Sequence, residues 1–171
     1  MDFFPDVETL ASYVLTYGPV ALFAFLMLGI IALPVPEEAL MVLGGVLMRK
    51  GNLPIPDMFF AALAGSICGI TVSYLLGKLA SDFFIHKFGP WVGLKQKYID
   101  RAHNWFERFG TWTVFIGYFI PGVRHFSGFV AGMTELEYKK FALFAYSGAL
   151  LWVTTFLSLG YFFGNKFPDV F

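Results

Sequence analysis

The chain has 171 residues, of which 57% are hydrophobic, 20% are aromatic and 14% are charged, and its formal net charge is zero. A typical soluble domain carries about 25% charged residues, so this composition excludes an ordinary soluble domain and indicates an integral membrane protein. The balanced charge also argues against a nucleic-acid partner. We predict an all-α integral membrane fold in a single domain over residues 1–171.

The first apolar segment covers residues 10–33 and carries no charge. It is long enough to cross a hydrocarbon core of about 30 Å as one helix. The residues before it are acidic, whereas a signal peptide begins with basic residues, so we expect this segment to be retained.

A pair of prolines, Pro34 and Pro36, ends this segment and is followed at once by Glu37 and Glu38. The next apolar run, residues 39–48, is too short to span a bilayer. This pattern predicts a re-entrant hairpin, in which a helix enters the membrane, breaks at the prolines and returns. Pro36 would stand in the first turn of the returning half-helix, with both carboxylates near its positive end.

Residues 58–79 form a second spanning segment, in which small residues recur at near four-residue spacing. Such a face allows close helix approach, so we expect it to pack on protein and to permit a homodimer. Residues 78–108 then mix six basic and three acidic side chains with aromatic ones. This mixture predicts an amphipathic connector at the membrane interface, on the cytoplasmic side.

A second hairpin is predicted over residues 111–133, an apolar run whose two ionisable residues are Arg124 and His125. Pro121 and Gly122 directly precede them and interrupt a continuous helix. Broken backbone at membrane depth is tolerated only where it packs in protein or lines a wet cavity, and a charge there is a functional candidate. The alternative is a kinked helix whose arginine extends to the interface. Residues 141–163 form the last spanning segment.

Shifting the chain by 87 residues superposes its helix breakers and several of its polar and small residues. The matched pairs are Pro34 with Pro121, Glu37 with Arg124, Gly45 with Gly132, Tyr74 with Tyr161 and Gly77 with Gly164. We predict two repeats, residues 1–87 and 88–171, each a hairpin plus one crossing. An odd number of membrane passes makes such repeats inverted, as in secondary transporters. Chance alignment is the alternative, because glycine and aromatic residues are frequent here.

The predicted hairpin tips bring together an acidic pair, Glu37 and Glu38, and a basic residue, Arg124. One interpretation is a salt bridge that only locks the hairpins together. The other is a binding site, in which Arg124 holds a phosphate bidentately with help from a half-helix N-terminus beginning near Gly122. A glutamate would then carry a proton or receive a cationic head group, and His125 is ranked below Arg124. Enzyme motifs and metal-ligand spacings are absent from the sequence, so we predict no enzyme, cofactor or metal.

Four motifs together resemble the DedA family of bacterial inner-membrane proteins, which share the VTT domain with eukaryotic lipid scramblases. They are Pro36-Glu37-Glu38 with Gly45, residues 73–78, residues 118–124 with Ala131-Gly132-Met133, and Leu151-Trp152 with residues 160–164. The resemblance implies opposed re-entrant hairpins in a multi-pass protein of the bacterial cytoplasmic membrane. It also implies movement of lipid between leaflets, with undecaprenyl phosphate or phospholipids as cargo and proton coupling in some members.

Within this resemblance, Glu38 matches the acidic position of the first tip and Arg124 matches the second of two arginines. The sequence departs at Tyr118, where many members have the first arginine, and at Leu26, where some have a carboxylate. Because Tyr118 could face an ammonium, we expect a phospholipid such as phosphatidylethanolamine, held between the glutamates and Arg124. The alternatives are an undecaprenyl phosphate transporter, a proton-coupled small-solute transporter and a membrane-assembly scaffold.

Overall fold

The computed structural model describes residues 7–29, 36–80, 111–120 and 123–163. Every regular element in these ranges is an α-helix, which confirms the all-α prediction. The helices are α1 (Val7–Tyr17), α2 (Pro19–Gly29), α3 (Glu37–Arg49), α4 (Ile55–Ala80), α5 (Trp112–Gly117), α6 (Val123–Met133) and α7 (Tyr138–Phe163). Most of the predicted interfacial connector, together with Pro34, Pro121 and Gly122, lies outside the described residues.

Within the described ranges two helices, α4 and α7, are long enough and apolar enough to cross a membrane. Each has 26 residues, which corresponds to about 39 Å at the α-helical rise. They contain the two segments predicted to span, residues 58–79 and 141–163, and extend beyond both. The small residues predicted to pack on protein in α4 are buried, as expected: Gly65, Ser66, Gly69, Ser73 and Gly77.

The segment predicted to span as one helix, residues 10–33, is interrupted within its described part. Residues 10–29 are divided between α1 and α2, of 11 residues each, by Gly18, whose φ is +56°. Glycine adopts this left-handed conformation without steric cost, and Pro19 then begins α2, where a missing backbone donor is harmless. Each helix measures about 17 Å, roughly half of the hydrocarbon core. The uniform apolarity of the segment concealed this break.

The chain forms two compact units. The first contains residues 1–69 and 149–171, and the second contains residues 70–148. Helix α4 therefore contributes its N-terminal half to the first unit and its C-terminal half to the second, and α7 does the reverse. These units are defined by packing and do not test the boundaries of the predicted repeats.

In the first unit, α3 packs closely on the C-terminal half of α7. The contact is made by Gly45 and Gly160: a Cβ on Gly160 would overlap the carbonyl of Val42, and a Cβ on Gly45 would lie 2.7 Å from the backbone nitrogen of Tyr161. Side chains larger than hydrogen are therefore excluded from both positions, and the two backbones are in direct contact.

In the second unit, α6 packs on the C-terminal half of α4 in the same way. A Cβ on Gly77 would overlap the carbonyl of Phe129, and a Cβ on Gly132 would lie 2.7 Å from the backbone nitrogen of Lys78. In each unit, therefore, a short helix and half of a long helix are in backbone contact, and each of the two helices contributes one glycine to that contact.

Candidate functional site

The first candidate group lies at the N-terminus of α3. Pro36 is the N-cap residue, with φ −73° and ψ 74°, and its carbonyl accepts a hydrogen bond from the Leu40 N–H at 3.1 Å. Helix α3 therefore begins at Glu37, one residue later than the sequence predicted. Both glutamates lie in the first helical turn, where the positive end of the helix dipole favours carboxylates.

Glu37 and Glu38 differ sharply in burial. Glu37 is only 1% exposed, whereas Glu38 is half-buried. The Glu37 carboxylate lies against Gly29 at the end of α2, where an added Cβ would overlap its Oε1. The absence of a side chain at Gly29 therefore makes the space in which this carboxylate is buried.

The second candidate group lies at the N-terminus of α6, which begins at Val123, close to the predicted start near Gly122. Arg124 is only 2% exposed although it carries a guanidinium. Its backbone N–H donates to the carbonyl of Ile120 at 3.3 Å, and its own carbonyl accepts from the Ser127 hydroxyl at 2.9 Å. The local backbone thus holds Arg124 in the first turn of the helix, where N–H groups can serve an anion.

The aromatic ring of Tyr118 contacts the Arg124 side chain. The guanidinium carbon lies 5.6 Å from the centroid of the Tyr118 ring, within the range of a cation–π interaction. The tyrosine is 1% exposed, and its ring packs against Gly148 of α7. A Cβ added to Gly148 would lie 3.2 Å from Cδ2 of the ring. A larger residue than glycine at position 148 would displace the ring on which the cation rests.

The chain is similar in sequence to known proteins of one family. A family model described as the VTT domain matches residues 35–162. The chain belongs to the VTT-domain (DedA) family. It is 34% identical over 154 residues to the uncharacterized membrane protein YbfM of Bacillus subtilis, covering 90% of this chain and 95% of that protein.

Two further relatives carry more informative names. Protein DedA of Escherichia coli K12 is 33% identical over 162 residues, covering 92% of this chain and 74% of that protein. Undecaprenyl phosphate transporter A of Staphylococcus aureus is 28% identical over 164 residues, covering 94% and 81%. No solved structure matches the chain significantly. This VTT-domain protein is therefore a membrane protein of a family whose named members include transporters.

The structure places two of the positions singled out by the family resemblance, Glu38 and Leu26, in the first unit. The resemblance aligns Glu38 with an acidic position of the family, whereas the structure buries Glu37 more deeply than Glu38. Leu26, the second position at which the sequence departs from the resemblance, is fully buried in the first unit. Its Cβ would lie 3.2 Å from a Cβ built on Gly65. Pro34, Pro121, Gly122 and the side chain of His125 lie outside the described part of the chain.

The structure also shows contacts that the sequence did not predict. In the second unit the hydroxyl of Tyr146 is 3.0 Å from that of Thr71 and 2.7 Å from that of Tyr138. In the first unit Arg49, the last residue of α3, donates from Nη1 to the carbonyl of Tyr161 at 3.0 Å. Thr71 is 75 residues from Tyr146, and Arg49 is 112 residues from Tyr161, so spacing in the sequence could not have revealed these two contacts.

Proposed function

We propose that this VTT-domain protein moves a phosphate-bearing lipid between the leaflets of the cytoplasmic membrane, and that Arg124 binds the lipid phosphate. The observation that carries the proposal is the burial of this guanidinium in the first turn of α6. An arginine within a membrane-embedded unit is costly, and such residues mark substrate or ion pathways. Its planar group matches phosphate oxygens bidentately, and the N–H groups at the helix N-terminus favour the same anion.

The short helices support a pair of re-entrant hairpins, formed by α2 with α3 and by α5 with α6. None of these four helices exceeds 13 residues, so each is shorter than the roughly 20 residues that span a bilayer. The glycine contact repeated in each unit supports the proposed internal repeat. In such an arrangement the helix termini, and with them Glu37 and Arg124, would lie within the membrane rather than at its surface.

Among lipids, undecaprenyl phosphate is the cargo that we now propose first. The expectation of phosphatidylethanolamine depended on Tyr118 facing an ammonium, and the cation placed over that ring is Arg124. Two relatives bear the name undecaprenyl phosphate transporter A. Phosphatidylethanolamine is the second candidate, because the half-buried carboxylate of Glu38 suits an ammonium head group.

Glu37 is proposed to carry a proton during transport. This carboxylate is 1% exposed and lies in the first turn of α3, so a proton taken up or released there would change the charge of a buried site during transport. The proposal requires that transport respond to a pH gradient and that Glu37→Gln remove this response.

The test is translocation of labelled undecaprenyl phosphate and phosphatidylethanolamine in proteoliposomes, with and without a pH gradient. Wild type is compared with Arg124→Gln and with Lys139→Gln, which removes an exposed cation of the second unit. We expect undecaprenyl phosphate to move in wild type and Lys139→Gln and to stop moving in folded Arg124→Gln.

Three other outcomes would each contradict a different part of the proposal. Transport of phosphatidylethanolamine alone would overturn the cargo. Undiminished transport by Arg124→Gln would overturn the site. Transport of neither lipid by wild type would favour a small-solute transporter or an assembly scaffold.

A further inference from the structure

A groove of about 410 Å³ lies within the first unit, and none of its lining residues belongs to either candidate group. One wall is formed by Met48 at the end of α3 and Phe59 in α4, and the other by Leu157, Ser158 and Tyr161 of α7. The α7 residues of the wall run from position 154 to 162, which corresponds to about 12 Å along the helix. The groove is thus elongated in the direction of a spanning helix.

The interior of this groove is apolar. Thr154 is a polar residue of the wall, but its hydroxyl donates to the carbonyl of Leu150 in its own helix at 2.7 Å. A polar ligand would therefore find few donors here, whereas a hydrocarbon chain would replace water or loosely packed lipid on apolar side chains.

A cation is fixed beside the groove by one of its own wall residues. The exposed guanidinium of Arg49 donates to the Tyr161 carbonyl at 3.0 Å and lies 5.7 Å from the centroid of the Tyr161 ring. Lys50 follows it and is also exposed. Residues 49–57 contain these two cations and one acidic residue, Asp57, so the loop beside the groove is positive.

We propose that this groove binds one acyl chain of an anionic phospholipid of the surrounding bilayer, with the lipid phosphate at Arg49 and Lys50. The apolar walls select the chain, and the positive loop selects an anionic head group over a zwitterionic one. This site uses no residue of the proposed transport site, so its occupant is a bound membrane lipid and not the transported one.

The experiment is lipid titration of the detergent-purified protein by native mass spectrometry, using phosphatidylglycerol and phosphatidylcholine and following the first bound lipid. Wild type should bind phosphatidylglycerol about 25-fold more tightly than phosphatidylcholine, since each of the two basic residues contributes about fivefold at a membrane surface. Arg49→Gln should lose most of this preference and fall to about fivefold, and Arg49→Lys should keep most of it. Ser158→Phe, which fills the groove, should weaken binding of both lipids.

The matched control is Lys139→Gln, which removes an exposed cation outside the first unit and should leave both affinities unchanged. The proposal is overturned if folded Arg49→Gln keeps the full preference for phosphatidylglycerol, or if Lys139→Gln reduces it equally. If Ser158→Phe does not fold, the comparison of Arg49→Gln with Lys139→Gln decides the result alone. Because Arg124 is untouched in every variant, failure here leaves the proposed transport function standing.

Discussion

The guanidinium of Arg124 rests over the ring of Tyr118, with 5.6 Å between its Cζ atom and the ring centroid, and both side chains are almost completely buried. An aromatic ring therefore contacts this buried cation from within the same unit. The contact favours one orientation of the guanidinium. A desolvated cation–π contact contributes about 2 kcal/mol, enough to fix the side chain before ligand arrives.

Replacing Tyr118 tests this orientation directly. Tyr118→Leu should lower thermal stability and reduce transport, because it leaves the guanidinium buried against an aliphatic side chain. Tyr118→Phe keeps the ring and should stay closer to wild type in both respects. The measurements are thermal unfolding in detergent and transport in proteoliposomes. Equal losses in the two variants would show that the hydroxyl, and not the ring face, is what matters at this position.

Arg124→Lys separates charge from geometry at the second group. Lysine keeps the positive charge but lacks the planar fork that binds two phosphate oxygens at once. We expect transport to fall by about tenfold in Arg124→Lys, the loss of one charge-assisted hydrogen bond, and to be abolished in Arg124→Gln. The readout is the initial rate of undecaprenyl phosphate transport per folded protein. A fully active Arg124→Gln variant would rule out phosphate binding by this side chain.

The sequence predicted most of the helices but not their exact breaks or contacts. Composition and length identified both spanning helices, and the Pro36 and Pro121 motifs placed the starts of α3 and α6 within about one residue. The break at Gly18 was missed, because apolar periodicity carries no information about backbone conformation at a single glycine. Which of Glu37 and Glu38 is buried depends on Gly29 opposite them, a tertiary contact that no local pattern contains.

The sequence also did not predict which residues of the two long helices correspond in the proposed repeat. The short-helix glycines, Gly45 and Gly132, are separated by the predicted 87 positions. Gly77, however, makes the contact that Gly160 makes in the other unit, so the long helices correspond with a separation of 83 positions. The difference is about one helical turn. Residues four apart lie on the same face of a helix, so sequence comparison alone could not choose between Gly160 and Gly164.

Gly29 and Glu37 should show strong energetic coupling. Gly29→Ala inserts a methyl group where the Glu37 carboxylate now lies, and overpacking of this kind costs about 1–3 kcal/mol. In a Glu37→Ala background the same change should cost much less, because the space is empty. A double-mutant cycle of unfolding free energies measures the coupling. Additive effects would mean that the carboxylate does not occupy the space above Gly29 in the membrane.

The glycines at the contacts between short and long helices should tolerate substitution less well than other glycines of the described chain. Alanine at Gly160 or Gly77 places its Cβ against a backbone carbonyl, and backbone cannot rotate away as a side chain can. We expect each variant to lose roughly 3 kcal/mol or to fail to fold, since the helices must separate to admit the methyl group. Unfolding in detergent and the yield of monodisperse protein measure this effect.

Gly117→Ala is the matched control for these variants. Its Cβ would meet only side-chain atoms, the nearest being Cγ1 of Val123 at 3.3 Å, and the backbone there is helical. It should therefore fold nearly as well as wild type, and its gain in helix propensity partly offsets the tighter contact. If Gly77→Ala and Gly160→Ala behave like Gly117→Ala, the direct backbone contacts are not what joins the short and long helices. If only one of the pair is tolerated, the two units do not share the packing from which the internal repeat is proposed.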